Sequence, residues 1–163
     1  MRTRRLRRKR RLQKGGQNMN SVPKFPQLLN VVFNRALDGG NFSVEQTKPM
    51  PRITWDEPPK TNTYYTYICY DMDATMPAWI HLMIVNCTTA SLDSGLTLLE
   101  WQPPKPPKNT GEHRYVFGLY SHSYPVSTVP MSDRGSFNVK TYIDANGFIP
   151  VAGAFMKVAA ATR

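Results

Sequence analysis

The sequence predicts a mainly β chain folded as an antiparallel sandwich of two sheets. Apolar, aromatic and β-branched residues gather in short runs, clusters of Gly, Pro and Asn separate those runs, and no segment sustains a helical period. The 163 residues suffice for one domain with its own core.

Residues 28–33 make a first strand, and the Gly39-Gly40 pair in 38–41 turns the chain. Extended structure resumes at 42–44, and Pro49 and Pro51 keep 48–52 out of helix. A short strand at 53–55 ends at Asp56-Glu57-Pro58-Pro59. The aromatic run 64–70 and the apolar run 82–85 are the strongest strand signals. After a loop at 91–95 comes a strand at 96–101, and then four prolines within 102–108, which exclude ladder pairing. Strands at 114–122, 137–143 and 151–158 complete the set, with at most one helical turn near 137–142.

The net charge of +10 is unevenly spread. Residues 1–17 hold seven Arg and two Lys without an acid, whereas the remaining twelve basic and eleven acidic residues nearly cancel. Like charges cannot collapse into a core, so 1–17 reads as a disordered basic arm ahead of a near-neutral domain at 22–158 and a tail at 159–163. Arg4, Arg5, Arg7, Arg8, Lys9, Arg10 and Arg11 suit phosphate contacts, which makes RNA or DNA the expected partner of residues 2–14. No apolar run approaches the roughly 18 residues that span a membrane. No signal-peptide core follows the basic residues, so the expected compartment is intracellular: cytoplasm, nucleus or mitochondrion. Cys69 and Cys87 lie in strand-like contexts and read as core thiols.

Chemistry concentrates in 70–86 and 111–117. Asp71 and Asp73 stand at i and i+2, and in extended chain both would point to one side of the sheet. His81 stands at the mouth of a buried apolar run, and His113 and Tyr115 share a face by the same period. A histidine pair can donate to phosphate oxygens, a nearby carboxylate can fix a tautomer, and a phenol adds a donor. His122, adjacent to Ser121 and Ser123, reads as an exposed strand-end histidine.

DMDAT followed by WIHL (71–75 and 79–82) resembles the D-P-D-x-P…W-x-H-F signature of the phosphatidylethanolamine-binding protein family, and PPKNTGEHRYVF (106–117) resembles its P-P-x-x-x-G-x-H-R-Y-V segment. KPMPRITW (48–55), DRGSFNV (133–139) and IPVAGAFM (149–156) are similar to further family segments, so the likeness covers 22–158. It implies a two-sheet fold without the C-terminal helix that many members carry. It also implies a non-catalytic anion pocket made of Asp71, Asp73, His81, His113 and Tyr115, with Pro107 at the rim. Phospholipid head groups or phosphoproteins would be its ligands, in modulation of signalling; no metal or cofactor is expected. One member of the family is a mitochondrial ribosomal protein, so the alternative function is a structural part of a nucleoprotein assembly, in a mitochondrial ribosome or a viral particle, anchored by the basic arm. Met72 and Thr75 replace both signature prolines, Ile80 stands where many members carry a histidine, and Glu112 adds a negative charge beside His113.

Overall fold

The computed structural model describes residues 21–37, 39–56, 60–75, 78–128, 131 and 133–160. The basic segment and its seven candidate nucleic-acid contacts, Arg4 to Arg11, lie outside the described residues. In chain order the strands are β1 (Gln27–Leu28), β2 (Asn30–Val32), β3 (Asn41–Phe42), β4 (Arg52–Thr54), β5 (Tyr64–Asp71), β6 (Trp79–Cys87), β7 (Leu96–Leu99), β8 (Glu112–His122) and β9 (Ile149–Ala159). One helix, α1 (Val139–Ala145), precedes β9.

Among the described residues a seven-stranded sheet runs in the order β1-β9-β8-β5-β6-β7, with β3 also laid on β9, while β2 and β4 pair separately. The central strands are apolar on both sides because both sheet faces are covered. Leu29, Val31, Ile53 and Trp55 pack with Tyr65, Tyr67, Cys69, Tyr115 and Phe117 on one face. Val139 and Phe148 pack with Ile68, Tyr70, Val85 and Val116 on the other. Cys69 and Cys87 are buried free thiols.

The mainly β expectation holds, with three corrections. The pairings are antiparallel except that β1 and β3 run parallel to β9, because the N-terminal chain passes twice along the free edge of β9 in its direction. The expected strand 28–33 is split: Leu29 turns into the core, its N–H donating to the Gly153 carbonyl at 3.0 Å, and the chain then joins β4. Residues 137–143 are not a strand: 139–143 belong to α1. The Asn138 side chain accepts from the Thr141 N–H at 2.9 Å, a helix N-cap that outweighs the β-favouring Val, Thr, Tyr and Ile of the segment.

Close packing at the sheet edge depends on one glycine. A Cβ on Gly153 would stand 2.0 Å from the Phe25 ring, which lies flat against this position and meets Tyr120 edge-on at 5.8 Å.

Candidate functional site

Where β5 ends, β6 begins and β8 begins, the three strands form one end of the sheet. Asp71 pairs across the ladder with Trp79 on one side and Tyr115 on the other. Asp71, His113 and Tyr115 share a face through the two-residue period of strands.

His81 reaches that face through a bulge. Cys69 pairs with Leu82 and Tyr70 with Ile80, so His81 is the extra residue of β6. Carbonyls at the bulge are held by Arg134, whose Nη1 donates to Ile80 O at 2.9 Å and His81 O at 3.3 Å, while its Nη2 donates to Glu100 O at 2.8 Å. The Gln102 N–H donates to His81 O at 2.8 Å, and Gln102 Oε1 accepts from Trp79 Nε1 at 3.1 Å. A carbonyl can only accept, so the short contact between His81 Nδ1 and Gln102 O places the ring proton on Nδ1. In the neutral ring Nε2 is therefore an acceptor. Burial holds this imidazole below its ordinary range, opposed by the Gln102 hydrogen bond and the Asp71 charge.

His113 is committed at both nitrogens. Nδ1 meets Asp71 Oδ2 at 2.7 Å, and Nε2 meets Thr110 Oγ1 at 2.7 Å. Both histidine and carboxylate are buried. Carboxylate, imidazole and hydroxyl in that order resemble a nucleophilic relay, but the Thr110 hydroxyl donates to Pro107 O at 2.7 Å. Its proton is thus directed away from the imidazole, and the line reads as a chain of mutually satisfied groups. The turn that delivers Thr110 needs left-handed backbone at Asn109 (φ 63°) and Gly111 (φ 84°).

These groups border a cavity of about 370 Å³ lined by Asp71, Ala74, Thr75, Trp79, His81, Gln102, Pro103, Lys105, Pro107, His113 and Tyr115. Five of the six predicted site residues are brought together here. Asp73 is not among them, because β5 stops at Asp71 and the chain turns. Asp73 N–H donates to Asp71 Oδ1 at 2.9 Å, and the Asp73 carboxylate receives the backbone N–H and the Nε of Arg114, each at 2.8 Å. Arg114 holds Asp73 below the usual carboxylate range. Glu112, expected beside the anion site, faces away with Arg114 and pairs with Lys157 at 3.8 Å. Tyr115 is fully buried, and its hydroxyl is pushed far up by burial and then by the Asp71 charge. Lys105, Gln102 and Trp79 were not singled out as site residues from sequence. For Lys105 a signal exists: a lone cation interrupting the proline run 103–107.

His122 is buried rather than exposed. Its Nδ1 donates to Tyr124 O at 2.7 Å, its Nε2 meets Thr66 Oγ1 at 2.9 Å, and Phe148 stacks on the ring at 4.6 Å. Burial lowers its pKa, as it does for His81. Below about pH 6.5 an unfolded histidine takes up a proton that these folded ones resist, so their contribution to stability is intact above that value and is lost as pH falls through the folded pKa values. The contribution of Asp73 is intact above about pH 3.9 and is lost in stronger acid. The thermal midpoint should be flat from neutral to mildly alkaline pH and fall below about 6.5. An unchanged midpoint down to pH 5 would contradict these assignments.

The family profile described as "Phosphatidylethanolamine-binding protein" matches residues 29–150. A "26 kDa secreted antigen" of Toxocara canis is 29% identical over an alignment of 133 positions that covers 73% of this chain and 50% of that protein. The chain spans about half the length of the curated relatives it matches. Among solved structures, a carboxypeptidase Y inhibitor in complex with its cognate proteinase superposes with a TM-score of 0.70 at 20% identity, covering 82% of this chain and 83% of that one. The phosphatidylethanolamine-binding protein of Plasmodium vivax superposes with a TM-score of 0.69 at 20% identity, covering 83% and 87%. At such identities the superpositions speak for the fold. With the profile covering most of the chain, this protein belongs to the phosphatidylethanolamine-binding protein family.

Proposed function

We propose that the chain is a binding protein whose pocket at the Asp71 end of the sheet takes a phosphate-bearing group. The observation that carries this reading is the convergence of His81, Tyr115 and Lys105 on one cavity, beside an Asp71–His113 pair whose members are bonded to each other. A ligand oxygen competing for His113 would have to displace Thr110, so His81 is the direct contact, and His113 and the Tyr115 hydroxyl hold Asp71. A binding role fits better than a catalytic one, because the one hydroxyl–imidazole contact here has its hydroxyl proton committed to Pro107.

The tautomer of His81 sets the expected signature. A phosphate oxygen and a neutral Nε2 are both acceptors, so the complex needs one further proton, taken up by the ring or carried by the ligand. Affinity for inorganic phosphate, measured by calorimetry, should weaken about tenfold per pH unit above neutrality. His81→Ala should abolish both binding and the slope. A pH-independent affinity, or wild-type binding by His81→Ala, would remove the site from the account.

A further inference from the structure

We infer that Lys105 makes this pocket select a phosphomonoester dianion over a zwitterionic aminoalkyl phosphodiester. The inference rests on the phosphate-binding reading above and assigns the ligand class of the same site. Lys105 is the one lysine in the pocket lining, and it forms no ion pair with any described residue. It is exposed, whereas Pro104 and Pro106 on either side of it are buried. Proline fixes the backbone dihedral on both sides, so the segment is a stiff rail that holds the root of the lysine at the pocket mouth.

Charge accounting around the pocket then decides the preference. Asp71 and His113 face each other at 2.7 Å, so the carboxylate is turned to the imidazole rather than to the pocket mouth. Arg134 lies behind the bulge with its guanidinium spent on backbone carbonyls, Glu112 is turned to Lys157, and Asp73 to Arg114. Lys105 is therefore the charge that a ligand meets at the mouth. A phosphomonoester brings close to two negative charges and no cation. An aminoalkyl phosphodiester brings one negative charge and an ammonium on the arm that leaves the pocket, towards Lys105. At mouth-like separations and screening, each unit charge is worth about three- to tenfold in affinity.

The test is calorimetric titration with glycerol 3-phosphate and with glycerophosphoethanolamine, which share a skeleton and differ by the ethanolamine ester. The monoester should bind at least about tenfold tighter. Lys105→Ala should bring the two within about threefold by weakening the monoester, and Lys105→Glu should invert the order. Equal or tighter binding of the diester by the wild type, or a ratio unmoved by Lys105→Ala, overturns the inference and leaves the phosphate pocket standing. If neither compound nor inorganic phosphate binds, the phosphate reading fails, and the inference with it. Vesicles of phosphatidylcholine containing either phosphatidic acid or phosphatidylethanolamine separate the sources. Recruitment by phosphatidic acid alone assigns a lipid head group, and no recruitment despite tight glycerol 3-phosphate binding assigns a soluble phosphomonoester; recruitment by phosphatidylethanolamine to the same extent overturns the inference.

Discussion

Asp71→Ala is expected to cost about 3–5 kcal/mol of stability, because it strands a buried imidazole that now has a partner at 2.7 Å. It also orphans the Asp73 N–H, which donates to the other oxygen of the same carboxylate. In a domain of this size such a loss lowers the thermal midpoint by roughly 10 °C or more. Denaturant unfolding would measure it directly. The sharper check is the double variant Asp71→Leu with His113→Phe, which replaces the pair by apolar groups and should recover most of the loss. A cost below about 1 kcal/mol for Asp71→Ala would mean that the pair is not buried as described. His113→Ala should destabilise the fold nearly as much as Asp71→Ala does.

Gly153→Ala is expected to cost about 1–3 kcal/mol, although it adds a single methyl group. The new carbon would stand 2.0 Å from Phe25, so the ring must leave the sheet and its edge contact with Tyr120 is lost. Leu28 pairs with Gly153 and the Leu29 N–H donates to its carbonyl, so β1 is disturbed along with it. A double-mutant cycle isolates the clash: in a Phe25→Ala background, Gly153→Ala should cost close to nothing. Additive effects of the two substitutions would place the origin elsewhere.

The core of the sheet was legible in the sequence because β5, β6, β8 and β9 are long and rich in β-branched and aromatic residues. β1 and β3 were not, since two-residue strands exist only through the partner they find. Residues 137–143 misled because Val, Thr, Tyr and Ile favour strands, while the deciding signal was a single polar cap at Asn138. In the site, period-two logic placed His113 and Tyr115 on one face correctly. It failed for Asp73, because that logic holds only while the strand continues, and β5 ends two residues earlier. The bulge at His81 and the occupation of His113 by Thr110 are products of register and of a left-handed turn, neither of which a residue pattern displays. Lys105 shows the opposite case: its neighbours announced a rigid segment, but only the assembled pocket gave the lysine something to face.

The parallel ladders at the edge of the sheet also set the order in which the chain can fold. Gln27 meets Ala152 and Asn41 meets Lys157, so β1 and β3 have no strand to join until β9 has been made. Each such contact closes a loop of more than a hundred residues before any pairing energy is returned. Proteins built on non-local pairing of this kind fold in milliseconds to seconds rather than microseconds. During translation the free edge of β8 and the unpaired β1 remain exposed together until β9 emerges, which makes that interval the one most open to aggregation.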